Sequence, residues 1–320
     1  MVVNRFIFKG TFIEVVMNFS IVICTYSKLK WLKLTLKSYE LAYHLFPCFE
    51  VVICNDGGEV IDEKKDLGGF SFPINYLYIP HSGRAIARNI GIAATKYDWI
   101  LFNDDDILIN PQCLQYHINC HDTNDFCVVL GTHQQLYLSE NEIDGYNKDD
   151  ETLDFSRFQE QARPDSYVSC TKNILFKRQK KTEHWICGSS GAFSAPKSVI
   201  LDVGGFDEGF HGWGYEDIEF AYRLSHKGLP SYCNLNFPNY HIDHPRNKKV
   251  LISELKKNIL FFYRKHYGDP AIRYYWDFLR GDISFIEFDQ KTYHELSECD
   301  DDNSRYYGLI LSRLPDIENL

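Results

Sequence analysis

Short apolar segments that each stop at a turn or a helix leave this chain few architectures. Phe19 to Thr25 reads Phe-Ser-Ile-Val-Ile-Cys-Thr and Glu50 to Cys54 reads Glu-Val-Val-Ile-Cys, with a shorter segment around Tyr76 to Ile79 and another from Trp99 to Phe102. Runs so brief, apolar and rich in β-branched residues suit strands buried on both faces, as those of a parallel sheet are. Between the first two, Leu34, Leu41 and Leu45 share one face of a helix, Lys33, Lys37, Glu40 and His44 share the other, and Pro47 ends it. A second helix is expected from Arg84 to Lys96. Strands alternating with helices over short connections imply an α/β fold, Rossmann-like, with a mostly parallel sheet flanked by helices. In such sheets ligands bind beyond the carboxyl ends of the strands.

Two of those ends are acidic. One strand runs into the turn Asn55-Asp56-Gly57-Gly58 and another into Asp104-Asp105-Asp106, so both should face one crevice. Consecutive aspartates there offer hard oxygen ligands suited to magnesium or manganese bridging a diphosphate. A calcium loop or a solvated turn would also account for the triplet alone. Further along, Gly212-Trp213-Gly214-Tyr215-Glu216-Asp217 puts an indole face between glycines, ahead of two carboxylates entering a helix that Ala221-Tyr222-Arg223-Leu224 continues. Such a carboxylate can take a proton from an acceptor hydroxyl; acids also sit at helix starts simply because they complement the dipole. His241 and His244, three residues apart, could complete a metal site begun by a distant aspartate or could lie on the surface.

Four of these segments, Ser20-Ile-Val-Ile-Cys-Thr-Tyr-Ser27, Glu50-Val-Val-Ile-Cys-Asn-Asp-Gly57, Arg84-Ala-Ile-Ala-Arg-Asn-Ile-Gly91 and Phe102-Asn-Asp-Asp-Asp-Ile107, resemble the successive nucleotide-binding motifs of family 2 glycosyltransferases in order and spacing. The Gly212 to Asp217 stretch resembles the acceptor-site motif of β-1,4-galactosyltransferases, polypeptide N-acetylgalactosaminyltransferases and bacterial chondroitin-type polymerases. The resemblance spans roughly Asn18 to Lys249 and implies a GT-A fold. It further implies inverting transfer of a hexose or N-acetylhexosamine, galactose favoured, from a UDP-sugar to a glycan or lipid-linked glycan. On this resemblance Thr25 and Tyr26 line the nucleotide pocket, Asp56 accepts a hydrogen bond from uracil, and Arg84 and Arg88 contact the donor. Asp104 lies near the ribose or sugar, Asp106 is a direct metal ligand, and Asp105 is the alternative ligand. Asp217 is the catalytic base, with Trp213 and Glu216 holding the acceptor. His244 begins a segment similar to the one carrying the metal-binding histidine of the galactosyltransferases, and His241 stands where those enzymes have a methionine ligand. The implied cofactor is manganese or magnesium. Asn55 departs from the family, which commonly has an aspartate there.

A formal net charge of -10 argues against a nucleic-acid partner. The expected organisation is an N-terminal extension over 1–17, with Met17 as an alternative start, a GT-A domain over 18–250, and a C-terminal helical segment over 251–320. That segment, aromatic at Ile259 to Tyr263, is expected to pack on the main domain; contact with a lipid-linked acceptor, a membrane surface or another subunit stays open. Residues 139–183 read as a polar surface insertion. Cys113, Cys120 and Cys127, near His117 and His121, read as a buried helix face because their spacing matches no tetrahedral zinc set. Ten irregularly spaced cysteines without a CxxC pair or signal peptide read as reduced thiols, and no apolar run reaches the ~18 residues of a spanning helix. The expected setting is cytoplasmic, with peripheral contact at the inner face of the membrane left open, in bacterial surface polysaccharide synthesis. A sugar-1-phosphate nucleotidyltransferase would need a glycine-rich basic loop that Thr25 to Lys30 lacks. A non-catalytic nucleotide-sugar-binding protein would have little reason to keep Asp104, Asp106, Asp217 and His244 together.

Overall fold

The computed structural model describes residues 4–8, 11–15, 17–124, 126–148, 153–164, 184–189 and 191–292. β1 (Asn4–Phe8) and β2 (Thr11–Val15) pair with each other as an antiparallel hairpin. The four expected strands follow as β3 (Phe19–Thr25), β4 (Phe49–Asn55), β5 (Ile74–Tyr78) and β6 (Trp99–Asp104). After β7 (Ile107–Leu108) come β8 (Val128–Leu130), β9 (His133–Leu136), β10 (Arg163–Pro164), β11 (Phe193–Pro196), β12 (Ser231–Cys233) and β13 (Asn239–Ile242). A seven-stranded sheet has the order β12-β8-β11-β6-β3-β4-β5, with β11 antiparallel to both neighbours and the other pairs parallel. A four-stranded sheet, β10-β9-β13-β7, stands beside it.

Side chains alternate across the large sheet, and both faces are covered. Ile21, Ile23, Val51, Ile53 and Leu101 face one core with Leu32, Leu36 and Tyr39 of α1 (Leu29–Leu45). Val22, Val52 and Phe102 face the other. On that side lie α2 (Arg84–Ala94), Phe206, and Phe220 of a helix entered from the Gly-Trp-Gly loop. The C-terminal helices share this core through Ile259, Phe262, Tyr275 and Phe278. This is why strands with no polar face are stable here.

The remaining α-helices among the described residues are α3 (Pro111–Thr123), α4 (Glu140–Lys148), α5 (Phe155–Gln161), α6 (Lys197–Asp202), α7 (Glu216–Ser225), α8 (Lys248–His266), α9 (Pro270–Arg280) and α10 (Phe285–Thr292). No described helix is long and apolar enough to cross a membrane.

Several expectations change. Residues 140–148 and 155–161 are not an irregular insertion: α4 and α5 bury Ile143, Tyr146 and Phe158 with Leu34 and Tyr240 in a third core. Of the expected insertion, 149–152 and 165–183, with the Lys177 to Lys181 run, lie outside the described residues. α1 is consequently covered on two sides, so its lysines do not form a free solvent face. Lys33 pairs with Asp66 at 2.6 Å and Lys37 donates to the Tyr146 carbonyl. Leu45, expected inward, is the last helical residue and is 56% exposed. Cys127 lies beyond the end of α3, beside β8, so the seven-residue cysteine spacing is not one helix face. His117 and His121 are buried and both bond the Ser194 hydroxyl at 2.7 Å, a closed structural network. No disulfide joins two described cysteines.

Candidate active site

The register of the large sheet builds the site. Thr25 lies opposite Asn55 and Cys24 opposite Asp104, so the chain leaves β3, β4 and β6 along one edge. Beyond that edge is a cleft of about 970 Å³, and every candidate residue drawn from the sequence lines it. The small sheet brings the distant histidines there. β13 pairs antiparallel with β7, the Ile242 amide donates to the Asp106 carbonyl at 2.8 Å, and His241 lies opposite Ile107.

Asp106, His241 and His244 each offer a ligand atom within 4.8 Å of the others. His244 Nε2 is 3.0 Å from Asp106 Oδ2, and His241 Nε2 is 3.5 Å from Asp106 Oδ1. Arg246 places a guanidinium nitrogen 2.7 Å from His241 Nε2. A guanidinium can only donate, so Nε2 carries a lone pair and the proton sits on Nδ1, which donates to Gln135 Oε1 at 2.7 Å. This partner fixes the imidazole in the tautomer a metal needs. One carboxylate and two neutral imidazoles suit manganese and, less closely, magnesium.

Asp105 is occupied otherwise. Its Oδ2 accepts the Thr25 hydroxyl at 2.7 Å and its Oδ1 the Lys28 ammonium at 3.3 Å. Burial, with Asp106 and Asp104 alongside, pushes its carboxyl up despite Lys28 and Thr25. Burial also works against the Asp106 charge, but the hydrogen bonds that His241 and His244 donate in their protonated form, with the Lys28 ammonium, outweigh it and hold that carboxyl well below the usual range. Lys28 Nζ lies 2.7 Å from Asp106 Oδ2 and 3.1 Å from His244 Nε2.

At the β4 end, Asp56 accepts the Ser82 amide at 2.7 Å on one oxygen and the Gly83 amide at 3.0 Å on the other. His81 Nδ1 also lies 3.0 Å from Oδ2, whereas Oδ1 keeps a second lone pair beyond the Ser82 amide. The exposed Tyr26 ring lies 4.6 Å from that of His81, forming an aromatic shelf beside Asp56. Arg84 is exposed at the start of α2, whereas Arg88 is buried and ties two parts of the cleft together. It donates to Glu216 Oε1 at 2.9 Å and to Asp104 Oδ1 at 3.2 Å. Glu216 is buried, and its Oε2 has no hydrogen-bond partner among the described residues. Asp217 is half-buried on the cleft wall, its Oδ1 accepting the Ile218 amide at 2.9 Å.

Lys28, His81, Gln135, Arg246 and Glu254 also line the cleft but were not singled out in the sequence. Lys28 and Arg246 lie inside or beside quoted motifs, which is the signal that could have found them. Gln135 has none, since only the pairing of β9 with β13 brings it opposite His241.

The sequence matches the Glycosyl transferase family 2 description over residues 20–183, just over half of the chain. Residues 176–245 match the description "N-terminal domain of galactosyltransferase". Validoxylamine A glucosyltransferase of Streptomyces hygroscopicus subsp. jinggangensis is 28% identical over 264 residues, covering 77% of this chain and 60% of the relative. Chondroitin synthase of Escherichia coli is 25% identical over 284 residues, covering 77% of this chain and 39% of the relative. The chain therefore spans 60% or less of the length of these relatives. Among solved structures, the mannosyltransferase PcManGT from Pyrobaculum calidifontis in complex with GDP-Man and Mn2+ aligns with a TM-score of 0.54 at 11% identity, covering 79% of this chain and 64% of that one. S. aureus TarS 1-349 in complex with UDP aligns at 0.50 and 16% identity, covering 86% and 78%. These alignments place the mostly parallel sheet and its helices in the GT-A fold. With β4 to β6 and all of β3 but Phe19 inside the matched segment and the cleft at the carboxyl ends of β3, β4 and β6, the chain belongs to family 2 of the glycosyltransferases.

Proposed function

We propose that the protein is an inverting, metal-dependent transferase that moves a hexose or N-acetylhexosamine, galactose favoured, from a UDP-sugar to a glycan hydroxyl. The acceptor would be a free or lipid-linked glycan of bacterial surface polysaccharide synthesis, in keeping with a relative named chondroitin synthase. The observation carrying this reading is the meeting of Asp106, His241 and His244 with Asp217 around one cleft. Family membership removes the support for the nucleotidyltransferase alternative.

Asp106, His244 and His241 would hold the divalent cation, manganese or magnesium, which supplies positive charge against the leaving diphosphate. Asp105, whose Oδ2 accepts the Thr25 hydroxyl and which is not grouped with the two histidines, is the weaker ligand choice. Tyr26 and His81 would shelve the base beside Asp56, with Thr25 at the pocket floor and Arg84, Arg88 and Asp104 toward the phosphates and sugar. Trp213 would carry the acceptor ring, with Glu216, held by Arg88, lying beneath that part of the cleft. Asp217 would remove the proton from the attacking hydroxyl while Arg88 keeps Glu216 and Asp104 in place.

A panel of UDP- and GDP-sugars, each with manganese, tests this by thermal stabilisation. The matching UDP-sugar at about a hundred times its Kd adds about 2.7 kcal/mol, a rise of several degrees in Tm. Stabilisation by GDP-sugars alone would overturn the uracil role of Asp56. A second measurement isolates the metal: Gln135→Leu is expected to weaken manganese binding by about 10–100-fold in calorimetry. Unaltered affinity would remove His241 from the ligand set.

A further inference from the structure

The loop carrying Trp213 is built from backbone that most residues avoid. Gly212, Gly214 and Tyr215 have φ of 77°, 95° and 70°, and Tyr215 gives the following helix α7 no side-chain cap. Such conformations persist where neighbouring groups over-determine them. α8 supplies those groups. Glu254 Oε2 accepts the Trp213 amide at 3.0 Å. One turn on, Asn258 Nδ2 donates to the Gly214 carbonyl at 2.8 Å and to the Trp213 carbonyl at 3.3 Å. Asn258 is 4% exposed. The helix lies so close that a Cβ on Gly212 would stand 2.6 Å from Glu254 Cδ, and one on Gly214 2.6 Å from Leu255 Cδ1.

α8 is itself fixed. Leu255, Ile259 and Phe262 are buried in the core that holds Phe102 and Phe220. Near its other end, Lys265 and His266 bond Glu219 of α7 at 2.7 and 3.0 Å. The segment from Trp213 to Glu219 is thus gripped at both ends by one helix.

We propose that Glu254 and Asn258 are positioning residues for transfer, holding the Trp213 platform and the start of α7 at a set distance from the donor edge of the sheet. This rests on the donor and acceptor roles assigned above. The residue types suit that role, because a carboxylate accepts the one amide and a carboxamide supplies two N–H groups for the two carbonyls. Neither side chain need touch the reacting atoms.

Amide hydrogen exchange on the whole protein tests this in Glu254→Gln, Glu254→Leu and Asn258→Ala, with UDP affinity measured by calorimetry in the presence of manganese. In Glu254→Leu and Asn258→Ala the amides of residues 213–217 should exchange at least ~10-fold faster while those of β3, β4 and β6 keep their protection. Glu254→Gln retains a carbonyl oxygen for the Trp213 amide and should stay near wild type. UDP affinity should remain within about two-fold throughout, because none of its proposed contacts is altered. Unchanged exchange at 213–217 in Asn258→Ala overturns the proposal, as does protection lost evenly across the β-strands. If wild-type protein fails to bind UDP, the proposed function falls, whereas the exchange pattern still decides whether the clamp exists.

Discussion

Replacing Asp217 with asparagine is expected to lower turnover by ~10²-fold or more and to leave UDP and manganese binding near wild type. Asparagine preserves the shape of the site: its carbonyl oxygen can still accept the Ile218 amide, which Asp217 Oδ1 holds at 2.9 Å. The start of α7 therefore stays in place. What is lost is basicity, since an amide oxygen accepts a hydrogen bond but does not take up the proton of an attacking hydroxyl at neutral pH. Steady-state turnover with the UDP-sugar found in the thermal screen is the readout, with UDP calorimetry beside it. Undiminished turnover would exclude Asp217 as the base. A parallel loss of UDP affinity would instead mean that the substitution had disturbed the cleft.

The largest stability effect is expected at Glu219, which is fully buried on α7. Its carboxylate accepts Arg223 Nε at 2.9 and 3.0 Å, Lys265 Nζ at 2.7 Å and His266 Nε2 at 3.0 Å. Glu219→Ala strands these cationic partners in a buried place and should cost about 3–5 kcal/mol, on the order of 10 °C in Tm. Burial raises this carboxyl, but His266, Arg223 and Lys265 outweigh it and bring it from 4.5 down to about 2. Because the folded value lies below the unfolded one, the stabilisation is complete above about pH 4.5 and is lost as pH falls toward 2. Glu219→Gln should flatten the acid side of a thermal-midpoint profile between about pH 4.5 and about pH 2. Identical acid slopes in Glu219→Gln and wild type would show that the charge of Glu219 does not carry the effect.

How much of this was legible in the sequence follows from how each part is stabilised. β3, β4 and β6 are buried on both faces, so they appear as unbroken apolar runs, and the acidic residues at their ends mark the cleft edge. That is why Asp56 and Asp104 to Asp106 could be placed together from sequence. The small sheet was not legible because its strands are short and polar: His-Gln-Gln-Leu in β9 and Asn-Tyr-His-Ile in β13 carry no period that separates them from loops. The tautomer of His241 depends on that sheet, and so Gln135 was invisible. α4 and α5 were masked by their charged outer faces, although Ile143 and Phe158 point into a core. Glu254 and Asn258 look like ordinary polar positions on a helix and gain meaning only through the loop packed against them.

The contact between α8 and the Trp213 loop also bears on how this enzyme could be cut, grafted or diversified. A chain ended at Lys249 would keep every motif residue and lose the wall formed by Val250 to Leu255, both loop anchors, and two partners of Glu219. Exchanging acceptor loops between related transferases would fail for the same cause unless the facing turn of α8 travelled with them. On the acceptor role proposed for Trp213, the unit of inheritance for acceptor choice would be a loop and a helix, with Trp213 and Glu254 separated by 41 positions.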